Sequence, residues 1–147
     1  MFVPYKGKYS YNYAPKKAST ILSRGALIDV IDGYIDICAI ARKSHSGVVQ
    51  KTVTAADTDY ASTTRLPFIV PCSPIARFKA SVLSTDTAVA TDVGNFFDLG
   101  GTPVGIDVTR ATSDDDAFLV TDFFGANSVA GQINSLKAMK NGIGTDV

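Results

Sequence analysis

The sequence contains neither tryptophan nor glutamate, and it has one histidine and two cysteines in 147 residues. These are too few histidines and cysteines for the usual zinc sites, and no Cys-x-x-Cys pair is present. The glycine-rich phosphate-binding loops and the His-Glu-x-x-His motif of metalloproteases are missing as well. No apolar run approaches the ~20 residues that a membrane-spanning helix needs. The composition therefore favours a non-enzymatic protein without a cofactor, a metal ion or a membrane segment.

The absence of glutamate also bears on the fold, because all 14 acidic residues are aspartates and threonine is equally frequent. Aspartate and threonine favour turns and strands, whereas glutamate favours helices. The formal net charge is zero, so any preference for nucleic acid or a membrane surface would have to be local. The apolar fraction of 46% and the length predict one folded domain with a real core.

No secretory leader is recognisable, because Met1 leads into a polar segment rich in tyrosine and lysine. The expectation is a soluble protein made in a reducing cytosol. Cys38 and Cys72 lie in predicted strands among apolar neighbours, which predicts buried free thiols.

The middle of the chain has the clearest strand signals. An apolar run at residues 68–70 lies between two prolines, and residues 75–83 alternate, with Ala76, Phe78, Ala80 and Val82 on one face and Arg77, Lys79 and Ser81 on the other. Further strands are predicted at residues 93–99, 104–109, 117–124 and 128–133, and a strand start near residues 48–53. Short strands separated by turns predict an all-β fold, a compact single-domain barrel or sandwich of antiparallel strands.

A two-residue hairpin is predicted at Asp32-Gly33, within an alternating apolar segment. This register places Asp29 opposite Asp36, where like charges repel. Three explanations remain open: both carboxylates are solvated, they meet a lysine or arginine from a neighbour, or they hold a cation. The spacing of Asp29, Asp32 and Asp36 does not match an EF-hand loop. The run at Asp114, Asp115 and Asp116 is interpreted as a solvated turn without a second group of ligands.

His45 lies between Ser44 and Ser46, which invites a nucleophile-and-base interpretation. No strand–turn–helix elbow precedes these serines, and the chain has no other histidine. The pattern predicts an exposed loop histidine. A small hydrolase or lyase using paired aspartates remains an alternative supported only by the number of aspartates available.

Residues 1–19 differ from the rest of the chain, because they contain no acid and are rich in aromatic and cationic side chains. If the segment is extended, Tyr9, Tyr11 and Tyr13 share one side. Either it is a strand packed on its own domain, or it is an extended arm that binds a neighbouring subunit. The arm hypothesis names these partner-binding residues: Tyr5, Lys6, Lys8, Tyr9, Tyr11, Tyr13, Lys16 and Lys17.

The order ATDVG…FDL, VGIDVT, AFLVTDFF and ANSVAGQIN, preceded by ILSRGALIDVIDGYIDICAIARKSHSGVVQ and VTAADTDYAST, resembles the capsid decoration (cement) proteins of tailed bacteriophages. The resemblance covers residues 20–136, the expected β domain, and leaves out residues 1–19 and a C-terminal tail at 137–147 that is expected to be flexible.

This resemblance implies a structural protein on the outer surface of a virion that bridges neighbouring major capsid subunits. It also implies a homo-oligomer such as a trimer, a period in the host cytoplasm during assembly, and no nucleic-acid or membrane partner. The alternatives are a barrel that binds single-stranded nucleic acid, for which the tyrosine–lysine segment has the composition, and another virion or tail component.

Overall fold

The computed structural model describes residues 1–37, 45–101, 104–109, 117–134 and 136. These residues form a single all-β domain with two antiparallel sheets, which confirms the predicted fold class. The helical content of the described chain is one 3₁₀ turn at Ala90–Asp92. The strands are β1 (Phe2–Lys6), β2 (Tyr9–Pro15), β3 (Leu27–Ile31), β4 (Tyr34–Ile37), β5 (Gly47–Val49), β6 (Arg65–Pro71), β7 (Arg77–Ser81), β8 (Phe96–Gly100), β9 (Gly105–Asp107), β10 (Phe118–Gly125) and β11 (Ser128–Ile133).

The larger sheet has six strands in the order β1-β7-β11-β10-β8-β9. The predicted alternation along β7 is confirmed, since Phe78 and Ala80 are buried and Lys79 is exposed. The register between β10 and β11 shifts after Val120 and again after Phe123. Such bulges increase the local twist and redirect side chains.

The smaller sheet has five strands in the order β2-β6-β5-β3-β4. The hairpin between β3 and β4 has the predicted register, with Asp29 opposite Asp36, and Asp32 has a positive φ of 51°. The two ends of this sheet meet, because Lys16 forms a parallel bridge with Ile35 and the Lys17 amide donates to the Ile35 carbonyl. The sheet is therefore curled towards closure, which removes part of its open edges.

Two clusters of buried side chains form the core. The first joins both sheets, and its largest members include Phe2, Phe78, Phe97 and Phe118. The second lies on the other face of the five-stranded sheet, where Leu22 and Val53 from the connecting segments cover it. Because a fully buried Phe or Leu side chain contributes about 1.5–3 kcal/mol, both faces of the smaller sheet support the fold.

The N-terminal segment corresponds to the first of its two alternatives, because the structure places it inside the domain. β1 pairs with β7 in one sheet, and β2 pairs along its whole length with β6 in the other. The chain crosses between the sheets at Gly7, whose φ is 98° and where an added Cβ would lie 2.5 Å from the Ala76 Cα. Glycine alone tolerates both conditions.

Two expectations from the sequence are wrong. His45 is completely buried rather than exposed, because its ring lies against Asp29 and its backbone bridges to Leu136. Cys72 is an exposed free thiol rather than a buried one. The strand β6 ends at Pro71, so Cys72 lies just outside the strand in which its burial was predicted.

Several predictions lie outside the described residues. These are Cys38, the acidic run at residues 114–116, and the C-terminal tail at residues 137–147.

Lys16 is completely buried and holds a long loop in place. Its Nζ donates to the carbonyl oxygens of Tyr60 (2.6 Å) and Ser62 (2.7 Å). An ammonium group loses much of its hydration when it is buried, and these carbonyls replace it. The segment between β5 and β6 is therefore anchored to the end of β2.

Replacing Lys16 with methionine keeps the apolar stem and removes the ammonium group. We expect Lys16→Met to lower the free energy of unfolding by about 2 kcal/mol or more, because two carbonyls lose a charged donor. The matched control is Lys17→Met, at an exposed lysine in an ion pair with Asp36, where the loss should stay within about 1 kcal/mol. Denaturant unfolding measures the free energy of unfolding of both variants. Equal losses would contradict the role of Lys16 as a buried anchor of the loop.

Tyr9 connects the two sheets. Its ring packs on Phe78 at a centroid distance of 5.1 Å, and its phenol donates towards the carbonyl oxygens of Lys6 and Arg77. Burial raises the pKa of the Tyr9 phenol. Main-chain hydrogen bonds at Tyr5, Arg77 and Lys6, and then the Arg77 charge, offset only part of this effect.

A raised phenol pKa links stability to alkaline pH. The stabilisation from the protonated Tyr9 phenol is present below the ordinary tyrosine pKa of about 10. It is lost as the pH rises through the higher pKa of the folded state. We expect Tyr9→Phe to show a shallower loss of unfolding free energy above pH ~10 than the wild type. Tyr11→Phe, on the same strand but exposed, controls for the loss of one tyrosine. If the unfolding free energies of the wild type and Tyr9→Phe fall in parallel as the pH rises, Tyr9 does not link stability to alkaline pH.

Candidate interaction surface

The outer face of the six-stranded sheet carries a cluster of aromatic and cationic side chains. Alternation along β1 turns Phe2 into the core and leaves Val3 and Tyr5 exposed. Pairing with β7 sets Val3 opposite Lys79. The end of β10 supplies Phe124, which is 45% exposed. Three strands that are separate in sequence thus contribute to one surface.

The rings and ammonium groups of this cluster contact one another directly. The Tyr5 and Phe124 rings meet edge to face, with centroids 5.4 Å apart and an interplanar angle of 85°. The Lys79 Nζ lies 4.8 Å from the Phe124 centroid, and the Lys6 Nζ lies 5.0 Å from that of Tyr5. We call Tyr5, Lys6, Lys79 and Phe124 the aromatic–lysine cluster. Cation–π contacts of this kind are worth about 0.5–1 kcal/mol each at exposed sites, so they orient the side chains without hiding them.

The surroundings of the cluster are positively charged. Arg77 is the cross-strand partner of Lys6, and Lys8 follows two residues later at the crossing between the sheets. The ion pairs of the described residues involve Lys17, Lys51 and His45, and none involves a lysine of the cluster. A chain with zero net charge therefore has a locally basic surface around these rings, with Asp122 in the same cross-strand row as Lys79 and Ala130 between them.

The structure divides the residues that the arm hypothesis grouped together. Tyr5 and Lys6 belong to the cluster, and Lys8 is exposed beside it. The Tyr9 hydroxyl and the Lys16 ammonium group bind carbonyl oxygens of the same chain, so neither offers its polar group to a partner.

The remaining members lie on the five-stranded sheet. Tyr11 is 65% exposed and Tyr13 is 57% exposed, both on β2. Lys17 pairs with Asp36 at 3.0 Å. The eight residues therefore form two surfaces on different sheets, together with an internal group.

Sequence reasoning missed Lys79 and Phe124 as members of the site. The alternation of residues 75–83 assigns Lys79 only to the solvent-exposed face of a strand. The available signal for Phe124 was the doublet Phe123-Phe124, because consecutive residues of a regular strand point to opposite faces and cannot both face one core. Both rings are partly exposed, at 38% and 45%, beside the bulge at the end of β10.

The two carboxylates of the hairpin pair each have a partner in the same chain. Asp29 is buried and its Oδ1 lies 3.1 Å from the His45 Nδ1. Burial tends to raise the pKa of Asp36, but the hydrogen bond and charge of Lys17, with the Ile37 amide, outweigh it and lower this pKa below its usual value. An Asp–His pair can act as an acid–base dyad, but these side chains are 3% and 1% exposed, so no substrate reaches them in this conformation.

A second pair of facing aspartates occurs between β8 and β9. Asp98 and Asp107 are cross-strand partners and both are buried. The Thr109 hydroxyl donates to Asp107 at 2.7 Å and the Thr109 amide donates to the same oxygen at 3.1 Å. Within the described part of the chain, no group of three or more His, Cys, Asp or Glu side chains is arranged to hold a metal ion.

No helix within the described ranges has the length and apolar character to cross a bilayer. Comparisons of the chain with protein-family models, with curated proteins and with solved structures find no match.

Proposed function

We propose that this protein is a structural decoration protein that binds the outer surface of a viral shell and bridges neighbouring major capsid subunits. The sequence resemblance over residues 20–136 suggests the class of protein. The observation that carries the proposal is the aromatic–lysine cluster, an exposed group of rings surrounded by lysines that the described ion pairs leave unused.

The cluster has the chemistry of a protein–protein contact. Aromatic residues dominate the binding energy of many interfaces, because they bury a large area at a low cost in conformational entropy. Charges at the rim mainly raise the association rate and select the partner. A fitting partner surface has an apolar centre with aspartates or glutamates around it.

The proposed activity is mechanical rather than chemical. Each copy adds buried area across a seam between capsid subunits, and many equivalent copies make modest contacts collectively strong. A compact β domain suits this role, because its packed core transmits load without rearranging. In this proposal the protein is found on virions, and in the host cytoplasm during assembly.

A second candidate function rests on a different observation. Tyr11 and Tyr13 are exposed on a five-stranded sheet that curls towards closure, and exposed aromatic rings on a small β barrel can stack nucleotide bases. A labelled single-stranded oligonucleotide tests this function. Salt-dependent binding that Tyr11→Ala and Tyr13→Ala abolish would support it, and no binding at low salt would refute it.

The first test of the shell-binding proposal is whether assembled virus particles contain the protein. We expect the protein to co-purify in stoichiometric amounts with assembled particles of the virus that encodes it. Its absence from washed particles would refute the proposal.

The second test is substitution within the cluster. We expect Phe124→Ala to weaken binding to undecorated particles by at least about tenfold, which corresponds to about 1.4 kcal/mol, because the ring is a central anchor. Tyr34→Ala is the matched control, at a similarly exposed ring (43%) on β4. Thermal unfolding of both variants verifies the fold. Equal binding by both variants would exclude the cluster from the interface.

Removing residues 1–17 would not test the cluster. This deletion takes away β1 and β2, one strand from each sheet, so lost binding would follow from lost structure.

A further inference from the structure

The strand β2 presents an open edge on the five-stranded sheet. Its seven residues pair with β6 on one side only. The Lys16 amide donates to the carbonyl oxygen of Thr64, the residue before β6. The next amide, of Lys17, donates to the carbonyl oxygen of Ile35 on the opposite side. Amide directions alternate along a strand, so the amides of Tyr9, Tyr11 and Tyr13 point away from β6. Among the described residues, no main-chain group bonds to these amides.

The other three edge strands carry features that discourage pairing. β1 contains Pro4 and a register irregularity before Lys6. β4 is four residues long and contains Asp36, and β9 is three residues long and contains Asp107. Charges, prolines, bulges and shortness are the usual protections of a sheet edge.

β2 lacks these protections over most of its length. Its sequence, YSYNYAP, contains no charged residue, and its one proline is the last residue. Tyr11 and Tyr13 are exposed beside this edge. A long, aromatic edge strand without charged residues of its own is a template for another strand.

We propose that the occupant of this edge is the β2 strand of a second copy of this chain, paired antiparallel about a two-fold axis at Tyr11. In this register Tyr11 faces Tyr11 of the second copy, and Tyr9 faces Tyr13 on either side. Each of these pairs exchanges both main-chain hydrogen bonds, because all three residues have outward amides. The two five-stranded sheets become one continuous sheet.

The side chains favour this register over its neighbours. It sets the exposed Tyr11 rings of the two copies on one face, as a cross-strand aromatic pair worth about 0.2–1 kcal/mol. A shift by one residue would place the rings of the two copies on opposite faces. A shift by two would set Pro15, which has no amide hydrogen, against Tyr9.

Charge does not oppose a second copy as the occupant. The pairing sets Lys8 opposite Ala14, so no cation of one strand faces a cation of the other. The Arg65 guanidinium donates to the Tyr13 carbonyl at 3.0 Å. A carbonyl oxygen has two lone pairs, so it can accept from Arg65 and from the Tyr9 amide of the second copy. The interface is isologous, and a two-fold axis closes it.

Single cysteines test the register. In a Cys38→Ser, Cys72→Ser background, we expect a short bis-methanethiosulfonate reagent to link Tyr11→Cys into a covalent dimer, because hydrogen-bonded antiparallel pairs have Cα atoms ~5.5 Å apart but Cβ atoms too far apart for an unstrained disulfide. Tyr13→Cys faces Tyr9 and should stay monomeric on a denaturing gel. Val93→Cys, exposed between the 3₁₀ turn and β8, controls for random collision. Linking of all three variants at similar rates, or of Tyr11→Cys no faster than Val93→Cys, would overturn the proposal.

Sedimentation equilibrium tests the association without a covalent link. We expect the wild type to dimerise and Tyr11→Lys to raise the dimer dissociation constant at least about tenfold, because it places two lysines face to face on the axis. Val3→Lys, an exposed change on β1, should leave the constant unchanged. A monomeric wild type at every concentration measured would also overturn the proposal. Neither result depends on shell binding, because Tyr11 lies outside the aromatic–lysine cluster.

Discussion

The structure depends on how the chain passes from one sheet to the other at its N-terminus. β1 borders the six-stranded sheet and β2 borders the five-stranded sheet, with only Gly7 and Lys8 between them. Gly7 meets the Ala76 backbone too closely for any side chain, and Tyr9 then packs between the sheets against Phe78. Because this crossing sets the spacing of both sheets, it positions both candidate surfaces.

Polar groups inside the domain are held by partners that are distant in sequence. Lys16 reaches carbonyl oxygens more than forty residues later, and His45, just before β5, meets Asp29 on the neighbouring strand β3. Burying an ionisable group without such partners would cost several kcal/mol. The chain thus uses charged and polar side chains in its interior to fix its loops.

The two candidate surfaces lie on different sheets and differ in chemistry. The aromatic–lysine cluster combines rings with positive charge, which suits a partner of another kind with acidic groups. The β2 strand contains no charged residue and carries main-chain donors, which suits an identical strand. Under the proposed function, one copy would bind a shell through one sheet and a second copy through the other. A decoration protein that bridges capsid subunits would gain strength from such pairing through effective concentration.

The sequence alone determined the all-β class, the alternation of β7 and the hairpin register at Asp32-Gly33, because strand period and turn chemistry are local properties. It also identified the unusual N-terminal segment, and it named Tyr5 and Lys6 among the candidate partner-binding residues. It did not determine that this segment forms two strands in two sheets, that Lys16 and His45 are buried while Cys72 is exposed, or that Lys79 and Phe124 join Tyr5. These features arise from contacts between residues far apart in the chain, and only the tertiary structure decides which distant strands become neighbours.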